Sequence, residues 1–389
     1  MDVRSLLKVM VEREASDLYL TVDRSPTYRI HGVTQSLAEP PFTNEQLEAV
    51  AQGLMRERQR TEFEEKMEMN LALYYPELGR FRVNLFRQRG NVGIVFRLIK
   101  VEIVPIDELG LPPIIKDISM SKRGLVLVVG ATGSGKSTTL AAMIDYRNSI
   151  QPGHIVTVED PIEFVHQHKK SIITQREVGF DTHSFQAALK NTLRQAPDVI
   201  LIGEVRDTET MEAAITFAET GHLCLGTLHS NNANQAIERI MNFFPIERHA
   251  QIYLQLSLNL RAIISQRLIP SLDGKRVPAL EILMDTPRIR DLIKKGEVDV
   301  LKEAMDQGIQ EGCQTFDHVL FLIYKEGKIS LEQALINADS ANNLRLKVKL
   351  AGLKGDEAMS KLLERDDKEK GKSFQIKDGA PPSSPARKF

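Results

Sequence analysis

The chain has 389 residues, too many for one small domain and enough for two or three units that each bury a core. Apolar residues at 42% and charged residues at 26% exclude a wholly disordered or fibrous chain and fit a soluble globular protein. Lysine plus arginine (51) balances aspartate plus glutamate (52), so no overall field draws in nucleic acid or anionic lipid, and no nucleic-acid partner is expected. Cys224 and Cys313 are too few for a disulfide framework or a four-cysteine zinc site, which predicts reduced, buried thiols. No signal-peptide core follows Met1 and no apolar run reaches about 18 residues, so the cytoplasm is the expected compartment.

Leu6, Leu7, Met10 and Val11 recur at helical spacing, residues 17–22 read as a strand, and 26–30 as its neighbour across a turn. Thr43-Asn44-Glu45-Gln46 predicts a capped helix running toward Arg60. Segments 69–74, 81–86 and 93–98 alternate apolar and polar residues, as one-faced antiparallel strands do, so residues 1–100 form an α+β domain. Pro105, Pro112 and Pro113 mark 101–118 as a linker. From Gly124 the strands become short and almost wholly apolar, at 125–129, 155–158, 199–202 and 223–225, with helical segments between them. That pattern predicts a parallel sheet covered on both faces, the core of a domain spanning 119–270. Further helices are expected at 248–268, 288–295, 315–326 and 331–337 in a helical C-terminal part, 271–364. The charged, proline-containing stretch 365–389 reads as a disordered tail.

Gly130-Ala131-Thr132-Gly133-Ser134-Gly135-Lys136-Ser137 fits G-x-x-x-x-G-K-[ST] between an apolar strand and a helix that Thr138 continues. Glycines let backbone N–H groups converge on phosphate oxygens and the helix N-terminus adds positive potential. Lys136 bridges the outer phosphates, and Ser137 can ligate Mg2+. ATP with Mg2+ is therefore the expected ligand, held by residues 130–138.

Asp198-Val199-Ile200-Leu201-Ile202-Gly203-Glu204 is a buried strand ending in a carboxylate, which places Glu204 beside the magnesium ion. Thr157-Val158-Glu159-Asp160-Pro161-Ile162-Glu163 ends another strand with three carboxylates in five positions, one of which could polarise the attacking water. His222 and His229 bracket a further apolar strand; without a third ligand they make a poor zinc site, and His229 suits a hydrogen bond to the γ-phosphate or a carboxylate. Arg80, Arg82, Arg87, Arg89 and Arg97 crowd 18 positions of the first domain. Most are surface charges, but P-loop ATPases often take a transition-state arginine from another domain or subunit, and Arg82 and Arg97 are the candidates.

These clusters, in this order and with Gly203-Glu204-Val205-Arg206-Asp207 and Glu219-Thr220-Gly221-His222 nearly contiguous, resemble the secretion ATPase superfamily of type II secretion and type IV pilus motors over residues 1 to about 350. The short N-terminal domain and the missing four-cysteine insertion are similar to its pilus retraction branch, PilT and PilU. Segments 175–181, 191–198 and 338–346 are more similar to the PilU side. The resemblance implies a PAS-like N-terminal domain, a RecA-like P-loop ATPase core and a hexameric ring with nucleotide between two domains. It implies catalytic roles for Glu163, Glu204 and His229, magnesium at Ser137 and Glu204, and basic contacts from Arg82 and Arg97. It further implies an ATP-driven motor of type IV pilus retraction and twitching motility. Such a motor sits in the cytoplasm at the inner-membrane pilus base and touches the membrane only through a platform protein. The alternative implied is an accessory ring beside a related retraction ATPase. Arg288-Ile289-Arg290-Asp291-Leu292-Ile293 stands where the family has Ala-Ile-Arg-Asn-Leu-Ile, and departs from it at the first and fourth positions.

Overall fold

The computed structural model describes residues 2–99 and 102–352; the tail expected at 365–389 and the end of the C-terminal part lie outside them. The chain opens with α1 (Val3–Glu12), whose apolar face buries Leu6, Leu7 and Met10. Then come β1 (Ala15–Leu20), β2 (Thr27–Ile30), β3 (Val33–Ser36), α2 (Asn44–Leu54), α3 (Glu57–Lys66), β4 (Glu68–Tyr75), β5 (Gly79–Gln88) and β6 (Asn91–Ile99). The strands form one antiparallel sheet in the order β3-β2-β1-β6-β5-β4. On β5 the even pattern is clean: Phe81, Val83 and Leu85 are buried, while Arg80, Arg82 and Asn84 lie on the other face. Phe63, Phe81 and Phe96 anchor the core beneath the sheet.

At α2 the predicted cap is present, Thr43 Oγ1 accepting the Gln46 N–H at 3.3 Å and Gln46 Oε1 accepting the Thr43 N–H at 3.0 Å. The helix does not run on to Arg60. Met55 and Arg56 are extended, Met55 turns into the core, and the Gln59 side chain caps the Arg56 N–H at 3.0 Å to start α3. In the segment expected as a linker, Ile106, Leu111, Ile115 and Ile118 are buried and α4 (Ile114–Ser119) forms, with Pro113 at its N-cap, where no backbone donor is missed.

The second sheet is built from β7 (Gly124–Val129), α5 (Lys136–Ile150), β8 (Gly153–Glu159), β9 (Ser171–Glu177), α6 (Phe185–Thr192), β10 (Val199–Ile202), α7 (Thr208–Glu219), β11 (Leu223–Leu228), α8 (Ala233–Met241), α9 (His249–Asn259), β12 (Leu260–Pro270) and β13 (Arg276–Met284). Its order is β13-β12-β7-β11-β10-β8-β9, with β12, β7, β11, β10, β8 and β9 parallel to one another. Every residue of β7, β10 and β11 is buried, as a sheet covered on both faces requires. The helix expected over 248–268 stops at Asn259: from Leu260 the apolar run is buried on both sides and pairs with β7. A short apolar run reads equally as helix or strand, and here pairing decides. β9 has one buried face behind a polar surface, which hid it in the sequence.

The sheet thus continues past residue 270 to Met284, and α10 (Pro287–Lys295) and α11 (Leu301–Gln307) follow. The described residues fall into two compact units, one of the chain up to Arg267 together with Leu280–Gln314, the other of Leu268–Ala279 and residues 315–352. The second holds α12 (Phe316–Lys325), α13 (Leu331–Ile336) and α14 (Ala341–Leu350) around Phe316, Leu320 and Leu344. There the buried Asp317 carboxylate accepts the N–H of Asp339 at 2.8 Å and of Ser340 at 3.2 Å. Cys224 and Cys313 are free and buried.

Candidate active site

A parallel sheet delivers its strand ends to one edge, and here that edge carries the chemistry. β7 leads to Gly130, β8 ends in Glu159, β10 leads to Glu204, β11 to His229, and β12 carries Gln266. Gly130 cannot be replaced without moving its neighbours: a Cβ there would stand 2.5 Å from Ser134 Oγ and 2.6 Å from the Gln266 carbonyl oxygen, at φ +154°. Gly135 caps α5 in the left-handed region, at φ +91°, and turns the chain into the helix that Lys136 begins.

Lys136 is buried and its Nζ donates to the carbonyls of Gly130 at 2.8 Å and Ala131 at 3.0 Å. Burial lowers its pKa, and the Glu204 carboxylate works against that. Ser134 Oγ is buried with no hydrogen-bond partner, facing the loop it belongs to. A cradle this tight, with an orphaned hydroxyl and an ammonium resting on its own backbone, fits a polyanion that would take up both donors. Ala131, Thr132, Gly133 and Ser137 are exposed, and Thr138 is half-buried behind them. Thr139 Oγ1 donates to Gln266 Oε1 at 2.7 Å, tying α5 to β12.

Glu163 and Ser137 line one small cavity of about 30 Å3, with Glu159, His166 and Thr227 as its other polar walls. That volume admits a water molecule or two. Glu204 follows Gly203 in the chain, and His229 Nε2 sits 3.3 Å from its Oε1. His222 is apart from this pair: its Nδ1 is 3.0 Å from Thr220 Oγ1, closing the end of α7. An open cleft of about 330 Å3 runs along Gly130, Ala131, His229, Ser230 and Arg239, within the size range of small-ligand sites. A larger cavity, about 510 Å3, opens at the opposite edge by Gly124 and Leu260, where Asp285 pairs with both Arg261 and Arg290.

Arg82 and Arg97 are cross-strand partners on one face of the N-terminal sheet. Arg97 Nε donates to the buried Asp17 at 2.7 Å; that bond, above all, raises its pKa, and the Glu163 carboxylate lies near enough to add to the effect. Arg82 acts on Glu177 through its charge. The structure thus gathers the P-loop, Glu163, Glu204, His229 and the arginine face around one sheet edge.

Five residues take part that the sequence assigned no individual role, Glu159 and Arg80 having stood only within larger clusters. Glu159 is buried and accepts from Thr157 Oγ1 at 2.6 Å; burial pushes its carboxyl up to about 7. His166 is buried with Nδ1 unpartnered, and burial pushes it down to about 4, so its ring is neutral at physiological pH. Gln266 and the Arg80–Glu177 pair, 3.0 Å apart, complete the set. Arg80 could have been found from period two, since it shares the face of Arg82; His166, Glu177 and Gln266 carry no local signal.

The family described as "Type II/IV secretion system protein" matches residues 2–343. The "Type IV pilus ATPase PilU" of Pseudomonas aeruginosa is 51% identical over 98% of both chains. The "Type IV pilus retractation ATPase PilT" of the same organism is 44% identical over 88% of this chain and 100% of its own. Among solved structures, the pilus retraction motor PilT with bound ADP superposes with a TM-score of 0.82 at 43% identity, covering 87% of this chain and 98% of that one. The chain belongs to the type II/IV secretion system protein family, among its type IV pilus ATPases of the PilT/PilU branch.

Proposed function

We propose that ATP binds at the carboxyl edge of the seven-stranded sheet and that Glu163 takes the proton of the attacking water. The observation that carries this reading is the cavity shared by Ser137 and Glu163 beside a P-loop whose Ser134 hydroxyl is orphaned. Backbone N–H groups of 131–137 and Lys136 bind the phosphates. Water oxygen bonds to the γ-phosphorus, the bond to the β-phosphate oxygen breaks, and the proton passes to the Glu163 carboxylate. His229 orients Glu204 through their 3.3 Å contact. Ser137 and Glu204 would hold Mg2+, which supplies charge neutralisation at the phosphate oxygens. Arg82 and Arg97 meet the charge that develops on the transferred group, in this copy or a neighbouring one.

Six copies then form a ring whose domain movements act on an inner-membrane platform protein at the cytoplasmic face of the pilus base, with a related retraction ATPase as a second partner. Among the described residues no helix is long and apolar enough to cross a membrane, which agrees with action through such a partner. Phosphate release from ATP, measured over a range of protein concentrations with Lys136→Ala as the blank, tests the reading. Glu163→Gln should bind ATP and lose about 10²–10⁴ in rate. A rate unchanged in Glu163→Gln removes that residue from the chemistry, and a rate independent of concentration argues against a site completed by assembly.

A further inference from the structure

Arg80 differs from its neighbours Arg82 and Arg97 in that its guanidinium is committed to a carboxylate of the second sheet. Its Nη2 donates to Glu177 Oε2 at 3.0 Å, its Nε is buried with no hydrogen-bond partner, and the Glu177 side chain is 2% exposed. Glu177 ends β9 in register with Glu159 at the end of β8. The same Oε2 accepts the N–H of Ile162 at 3.3 Å, and the Glu163 N–H lies near enough to the Glu159 carboxylate to oppose the rise in its pKa. A buried carboxylate therefore holds the N–H just before Glu163, with a second one beside it, and the first is anchored to the N-terminal sheet by Arg80.

Burial raises the Glu177 pKa, while Arg80, then the Ile162 N–H and Arg82, oppose the rise. A buried carboxylate paired with a half-buried guanidinium whose Nε–H is left unpaired is a poor stabilising device, since the same space filled by apolar side chains often holds a fold at least as well. What this pair does provide is a fixed link from β5 to the peptide before Glu163.

We propose that Arg80 is a positioning residue for ATP hydrolysis, acting through Glu177 on the Ile162–Glu163 peptide so that the seating of the N-terminal sheet sets where the Glu163 carboxylate stands. This rests on the reading of Glu163 as the group that takes the water's proton. Misplacement by about 1 Å at a reacting group can cost on the order of 10²-fold in rate, so a lost anchor is measurable.

The test is a double-mutant cycle on the full chain, with Arg80→Gln, Glu163→Gln and both together, reading kcat, KM and the affinity for ADP. Arg80→Gln should lower kcat by about tenfold or more, with KM and ADP affinity within about twofold, and should cost nothing further in the Glu163→Gln background. An equal loss in both backgrounds, or a loss below about twofold in the first, overturns the proposal. Should Arg80→Gln fail to fold, Arg80→Lys, which keeps the charge and loses the planar fork, carries the same cycle. If Glu163→Gln alone leaves kcat intact, the assignment of Glu163 fails, a result distinct from failure of the Arg80 step.

Discussion

Replacing Glu159 by glutamine should change the pH dependence of stability in a direction the structure dictates. The carboxyl is 9% exposed, and burial pushes its pKa from 4.5 to about 7 against the hydrogen bonds from Thr157, Gln175 and the Glu163 N–H. Between those two values the folded protein keeps a proton that the unfolded chain has released, so native stability falls as pH rises through the window. At 1.36 kcal/mol per pKa unit the cost grows from about 1 kcal/mol at pH 5 to about 3 kcal/mol at pH 8. Glutamine keeps the acceptor oxygen for Thr157 and for the Glu163 N–H and does not titrate. The stability of Glu159→Gln relative to the parent should therefore climb by about 2 kcal/mol from pH 5 to pH 8. The chain has no tryptophan, so urea unfolding followed by circular dichroism at each pH is the assay. Any constant offset from the new amide group cancels in the slope. A difference that stays flat from pH 5 to pH 8 would refute the reasoning, because it would mean that the cavity beside Ser137 hydrates the carboxylate and keeps it ionised in the folded state.

Two further outcomes follow from packing. Gly130→Ala places a methyl group 2.5 Å from Ser134 Oγ and 2.6 Å from the Gln266 carbonyl; it should destabilise the protein by about 2–5 kcal/mol in urea unfolding and abolish ADP binding by calorimetry. Cys224 and Cys313 are buried, and burial raises both thiol pKa values; neither should react with a thiol reagent in the native protein, and both should react once it is unfolded.

The parts of the site that were legible in the sequence are those where chemistry is contiguous in the chain. Residues 130–137 are one unbroken run from loop into helix, and Glu163, Glu204 and His229 each follow an apolar run, so a parallel sheet had to bring them to one edge. What separates Glu159 from Asp160 and Glu163 is depth: three carboxylates in five positions look alike until Glu159 is found buried while Asp160 and Glu163 are exposed. The Arg80–Glu177 link joins residues 97 positions apart across two sheets, and no local spacing records it. β12 was hidden for a related reason, because its apolar residues alternate too little to distinguish a strand buried on both faces from the continuation of α9.

The arginine face also shows why three cations of one sheet need not do one job. Arg80 is sequestered on Glu177, whereas the Arg97 side chain is 60% exposed even though its Nε is held by Asp17. Asp17 is itself 4% exposed and also lies 3.5 Å from Arg29, so the carboxylate behind Arg97 is fixed and the guanidinium is oriented from one side only. A group that must meet charge appearing only in a transition state gains from this arrangement, since its orientation is set in advance and little reorganisation remains. A group that must hold a backbone turn gains from the opposite arrangement, with its own guanidinium largely withdrawn from solvent and its partner carboxylate also bonded to the turn, as Glu177 is to the Ile162 N–H. The difference in exposure between Arg97 and Arg80 therefore agrees with charge compensation by Arg97 and with positioning by Arg80.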